Sequence, residues 1–148
     1  MINAMKVKSA RQLAYTVLLR VEKEKAYSNL ALDSELKNSN LEKRDKAFAA
    51  ALVYGVIERR ITIDYNLSLY LSKPLKKLKP EPLTALRLGA FQLIFSSRVP
   101  DSAAVNESVK LSKSNGFSYS SGLINAILRK VAKNGFIFPD SGDKINFL

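Results

Sequence analysis

Glu42–Arg60 reads EKRDKAFAAALVYGVIERR, and its periodicity decides the fold class. Phe48, Leu52 and Val56 recur at every fourth position, and Ala49, Ala50 and Ala51 widen that line into a broad apolar stripe. A half-buried strand would instead alternate apolar and polar residues. The width of the stripe predicts a helix packed on more than one side. Gly55 lies inside it, where glycine costs about 1 kcal/mol relative to alanine. A close helix crossing is the expected compensation.

The same period runs outward in both directions. Upstream, Leu13, Val17, Leu18 and Val21 mark one face of a helix over Ser9–Glu24, with Ser9 as N-cap. A short helix over Asn29–Lys37 follows, with Leu32 and Leu36 inward and Asn29 as its cap; Asn38, Ser39 and Asn40 make a turn. Downstream, Ile61, Tyr65 and Leu69 carry the helical pattern to Leu71. The stretch Ser72–Pro80, SKPLKKLKP, is a connector, and two readings of it stay open: a phosphate-binding loop or a solvated linker. Glu81 and Pro82 suit a first helical turn. That helix runs to about Ser97 with Leu83, Leu86, Ala90, Phe91 and Ile94 inward. After Arg98–Asp101, Asp101 or Ser102 caps a helix reaching Lys113, which Gly116 stops. The last helix spans Ser120–Asn134, with Leu123, Ile124, Ile127, Leu128 and Val131 on one face and Gly135 just past its end. No convincing strand is found before the last dozen residues. The expected fold class is all-α, with six to seven helices. Residues 1–8 read as an N-terminal extension, and residues 136–148 as the start of a linker to a following domain.

Composition narrows the function. The chain has 148 residues, enough for a core without staples, and no apolar run of membrane-spanning length. No signal peptide is read at its start, and a cytoplasmic location is expected. With no His and no Cys, neither the usual zinc sites nor a Cys-His or Ser-His nucleophilic pair can form. The remaining options are carboxylate, lysine or tyrosine chemistry, and no residue pattern points to any of them. The net charge of +11 speaks about partners. It is uneven: residues 1–80 carry 16 Lys+Arg against 8 Asp+Glu, and residues 81–148 carry 8 against 5. A basic surface that meets RNA phosphates is the favoured reading, with a generic solvated surface beside it. Lys6, Lys8 and Arg11 cluster where a helix starts. Cations there oppose the helix dipole, which favours phosphate contact as their purpose, beside the plainer reading of ordinary cations at an exposed helix start.

Several motifs, in order, resemble a known family. Ala10-Arg11-Gln12-Leu13-Ala14 leads to Val17-Leu18. Arg44-Asp45-Lys46-Ala47-Phe48 precedes Leu52-Val53-Tyr54-Gly55-Val56. Leu86-Arg87-Leu88-Gly89-Ala90-Phe91-Gln92-Leu93 follows. Val99-Pro100-Asp101 with Ala104-Val105-Asn106-Glu107, and Ile124-Asn125-Ala126-Ile127-Leu128-Arg129, complete the set. Over roughly residues 9–135 the chain is similar to NusB-like RNA-binding proteins. Within them it is most similar to the amino-terminal domain of the RsmB (Sun/Fmu) family of bacterial 16S ribosomal RNA cytosine-5 methyltransferases. The resemblance implies two small helical bundles packed together, 16S rRNA as partner, and a separate Rossmann-like catalytic domain as a second partner. It implies S-adenosylmethionine as cofactor of that domain and none on this chain. The family's chemistry needs cysteine thiolates, and this chain has none; its glycines are never closer than six residues apart, so no glycine-rich cofactor turn is present. No membrane and no metal partner is expected.

RNA binding in NusB-like proteins is associated with the basic first helix and its neighbours. The resemblance thus points to Lys8 and Arg11, with Lys6 just before them. Arg44 and Lys46, at the start of the third helix, form a second candidate group, and Arg129 with Lys130 a third. Each would hold a phosphate or ribose without reading sequence. Bidentate geometry ranks the arginines above the lysines. Arg44 and Asp45 have a competing reading as a structural ion pair. Tyr15, Tyr27 and Tyr119 are stacking candidates by position. Asn106, Glu107 and Asn125 read as helix-surface or capping groups. Two rival functions stand beside the rRNA methyltransferase domain: a free-standing NusB-like antitermination factor that binds RNA and a ribosomal protein, and a helical protein-interaction domain.

Overall fold

A computed structural model describes residues 9–138. They form seven α-helices: α1 Ala10–Glu24, α2 Ser28–Lys37, α3 Lys43–Glu58, α4 Arg60–Ser68, α5 Pro80–Phe95, α6 Asp101–Ser114 and α7 Ser121–Asn134. Single 3-10 turns lie at Leu75–Lys77 and Ser118–Ser120. No strand occurs among the described residues, as the period predicted. No described helix is long and apolar enough to cross a membrane. The chain divides into two compact units at Gly55 and Val56, a boundary that α3 runs across.

The first unit packs α1 against α2. Leu13, Ala14, Val17 and Leu18 of α1 are buried, as are Ala31 and Leu32 of α2 and Ala49, Leu52 and Val53 of α3. Ser9 caps α1 as expected: its Oγ accepts from the Gln12 N–H at 3.0 Å. The helix ends at Lys25, which sits in the left-handed region at φ 58°. Two expectations fail here. Helix α2 starts at Ser28, with Tyr27 in the cap position and no side-chain cap bond, so Asn29 lies inside the helix. The Tyr27 carbonyl accepts from the Ala31 N–H at 2.9 Å, and the backbone alone makes this start. The α3 stripe is narrower than its alanines suggested, since Ala51 is exposed and Ala50 half-buried.

The second unit is built around α5, which packs on α4, α6 and α7. Every residue from Pro82 to Ala90 is buried, so the helix is a core element on all sides. A close crossing occurs at Gly89: a Cβ there would lie 2.5 Å from Leu128 Cδ1 and 2.5 Å from Ser108 Oγ. Helix α4 shows the largest departure from the sequence reading. Ile61 and Leu69 are exposed, whereas Ile63, Asp64, Asn66 and Leu67 are buried. Two of those inward residues are polar, and both have partners: Arg87 meets Asp64, and the backbone of Ile137 meets Asn66. Asp101 and Ser102 do not cap α6. Pro100 holds the cap position at φ −62° and ψ 146°, and its carbonyl accepts from the Ala104 N–H at 3.0 Å. On α7, Ile124, Ile127, Leu128 and Val131 are buried, but Leu123 is 39% exposed.

Candidate nucleic-acid interface

Lys6 and Lys8 lie outside the described residues, so the first candidate group is represented by Arg11. It stands in the opening turn of α1, which carries no acidic residue. Its guanidinium carbon lies 5.3 Å from the centre of the Phe48 ring, a cation–π distance that links the start of α1 to α3. Arg44 and Lys46 sit in the first turn of that same α3, two to four positions before Phe48. Arg44 is exposed and Lys46 half-buried. Among the described residues Arg44 and Asp45 form no ion pair, which leaves Arg44 to solvent. Thus α1 and α3 present basic residues at their N-terminal ends, and one stacking contact joins the two ends.

Arg129 and Lys130 belong to the second unit, both exposed on α7. Arg129 is oriented by its own helix: its Nε donates to Asn125 Oδ1 at 3.0 Å, one turn back. It lines a half-open cleft of about 230 Å³ with Asp101, Ser102, Val105, Asn106 and Ala132. Asn106 therefore lines this cleft, and Asn125 holds the arginine that lines it with Asn106. Glu107 keeps a surface role beside Lys110, at 3.6 Å.

The connector between α4 and α5 is not a free linker. Leu75 is buried at its 3-10 turn, while Lys73, Lys76, Lys77 and Lys79 remain exposed around it. Lys79 Nζ lies 5.7 Å from the centre of the Tyr119 ring, and Tyr119 is 67% exposed. Exposed cations beside an exposed aromatic ring are the chemistry that single-strand binding surfaces in general use. Of the other stacking candidates, Tyr27 is also exposed, but Tyr15 is only 1% exposed and is a core residue. Sequence reasoning saw the lysines and saw Tyr119, yet missed their juxtaposition. Forty positions separate Lys79 from Tyr119, and no local pattern connects them. The cleft at Arg129 was missed for the same reason. Among the described residues no group of three or more Asp and Glu side chains is placed to hold a metal ion.

Comparison with known proteins adds to this geometry. Residues 8–133 match the NusB family. The chain is 34% identical over 131 residues to a protein named probable ribosomal RNA small subunit methyltransferase B from Bacillus subtilis (strain 168), an overlap of 88% of this chain and 29% of that protein. It spans less than a third of that relative's length. It is 36% identical over 95 residues to transcription antitermination protein NusB from Clostridium tetani (strain Massachusetts / E88), covering 64% of this chain and 62% of that one. Among solved structures it resembles a chain in a crystal structure of antitermination factors NusB and NusE in complex with dsRNA, with a TM-score of 0.78 and 24% identity. The match covers 90% of this chain and 99% of that chain, and at that identity it is a likeness of fold.

Proposed function

The chain belongs to the NusB family, and from that membership we propose that it is a non-catalytic RNA-binding domain. In this reading it forms the amino-terminal part of a 16S ribosomal RNA cytosine-C5 methyltransferase and positions rRNA for a separate domain. Residues 136–148 then begin the linker to that domain, which supplies the cysteines and binds S-adenosylmethionine. The observation that carries the reading is the 34% identity, over 88% of this chain, to a stretch making up 29% of a probable ribosomal RNA small subunit methyltransferase B. The absence of cysteine and histidine agrees with chemistry housed elsewhere.

Lys6, Lys8 and Arg11 with Arg44 and Lys46 form one phosphate-binding group in this proposal, and Arg129 with Lys130 another. The connector lysines with Tyr119 form a third. Binding of this kind is electrostatic and weakly specific, so it must respond to salt. If about six phosphates are neutralised, affinity falls on the order of a thousandfold between 50 and 200 mM salt. Replacing Lys8 and Arg11 by alanine should weaken binding to all RNAs alike and flatten that slope. Thermal melts of the same variant separate this effect from loss of the Arg11–Phe48 contact. Equal affinity of variant and wild type for RNA sinks this placement of the surface.

A second reading, a free-standing antitermination factor that binds RNA and a ribosomal protein, is favoured by the 36% identity to a NusB protein. The coding frame beyond Leu148 separates the two. Cysteine-bearing methyltransferase motifs downstream support the first reading, and a stop codon supports the second.

A further inference from the structure

The cleft between α6 and α7 has a lining that the general electrostatics of a basic surface do not require. It is lined by Asp101, Ser102, Asn106 and Arg129, residues that bear a carboxylate, a hydroxyl, an amide and a guanidinium, together with Val105 and Ala132. From this lining we infer that the cleft is a ribose–phosphate subsite that recognises the 2′-hydroxyl, and so holds RNA in preference to DNA. The inference rests on the RNA-binding reading and specifies its ligand.

Size is the first argument. A cleft of about 230 Å³ falls below the roughly 300–1,000 Å³ of pockets that hold whole small molecules. It suits one sugar–phosphate unit of a polymer whose remainder lies outside.

Charge is the second. Asp101 and Arg129 line one small space, yet among the described residues they form no ion pair with each other. The Arg129 Nε is committed to Asn125, which fixes the side chain and leaves its two terminal nitrogens as donors for a phosphate. A site for phosphate alone gains nothing from a carboxylate in its wall. A sugar hydroxyl does, because it donates to that carboxylate. Within a polynucleotide the 3′ and 5′ oxygens are esterified, so the 2′-hydroxyl is the sugar's one free donor, and DNA lacks it. Val105 and Ala132 give the sugar carbons an apolar wall. Lys130 and Lys133, exposed on α7, add positive charge for the neighbouring phosphates.

The test uses the full chain and labelled single strands of RNA and DNA of matching sequence, titrated by fluorescence anisotropy at one salt concentration. Wild type should prefer RNA. Asp101→Ala should cut the RNA-to-DNA affinity ratio on the order of tenfold, the loss of one charge-assisted hydrogen bond. Asp101 is exposed, so the variant should fold, and a melting curve verifies that. Arg129→Ala should instead weaken RNA and DNA by similar factors. An RNA with single 2′-deoxy substitutions should lose affinity on wild type at one position and lose nothing there on Asp101→Ala. If wild type binds RNA and Asp101→Ala leaves the ratio unchanged, the subsite is overturned while the RNA-binding reading stands. If wild type binds no RNA, that underlying reading falls and the subsite falls with it.

Discussion

Arg87 grips Asp64 with two parallel hydrogen bonds, Nε to Oδ1 at 2.8 Å and Nη2 to Oδ2 at 2.9 Å, and both residues are more than nine-tenths buried. This fork ties α4 to α5. Arg60 also reaches Asp64 at 3.9 Å, but its side chain is largely in solvent and cannot replace the fork. Arg87→Met should strand a buried carboxylate and cost about 3–5 kcal/mol of stability, read from urea unfolding. The double replacement Asp64→Leu with Arg87→Met should recover most of that loss, because no unpaired charge remains. A double variant as unstable as the single would mean that the geometry of the pair, rather than its charge balance, holds the helices.

Gly89 predicts the opposite of helix propensity. Alanine would favour the helix by about 1 kcal/mol. Its Cβ would also meet Leu128 Cδ1 and Ser108 Oγ at 2.5 Å, in a packed core where overfilling costs about 1–3 kcal/mol. Gly89→Ala should therefore lower the melting temperature, and Gly89→Val should lower it further. A stabilised Gly89→Ala variant would show that α6 and α7 can retreat at no cost.

Lys25 is the one described residue other than glycine with positive φ, at 58°, and it closes α1. A left-handed conformation penalises any residue bearing a Cβ. Lys25→Gly should stabilise the domain by about 0.5–1 kcal/mol, after allowance for glycine's greater freedom when unfolded. Chemical denaturation midpoints measure this directly. A lower midpoint would show that the lysine side chain contributes more than its backbone costs.

Tyr119→Ala should weaken binding of single-stranded RNA by about 1–3 kcal/mol, the value of one stacked base. Because the ring carries no charge, the salt slope should not change, in contrast to removal of Lys79. The residue is 67% exposed, so the melting temperature should hardly move. Unchanged affinity would leave Tyr119 as a surface ring beside a lysine.

The helices were legible in the sequence wherever burial follows apolar spacing. Leu13, Val17 and Leu18 in α1, and Ile124, Ile127, Leu128 and Val131 in α7, are buried as their spacing requires. Reading failed on α4 because the buried face there includes Asp64 and Asn66, whose partners lie 23 and 71 positions away. Local periodicity then favoured Ile61 and Leu69, which face solvent. The caps of α2 and α6 were misplaced because backbone geometry at Tyr27 and Pro100, not a side chain, starts those helices. At the candidate site the basic residues were visible one by one. Their neighbours were not: Phe48 beneath Arg11, Tyr119 beside Lys79 and Asp101 across from Arg129 are products of folding.

Asn66 holds the backbone of Ile137 through both of its amide atoms: Nδ2 donates to the Ile137 carbonyl at 2.9 Å, and Oδ1 accepts its N–H at 3.1 Å. The segment after α7 is thus pinned to a different helix from the one it leaves. Mechanical load applied at Phe138 would reach α4 through these paired bonds before it could peel α7 from its end. The stretch from Gly135 to Ile137 works as an anchor plate, a second point of attachment that the end of α7 alone does not provide.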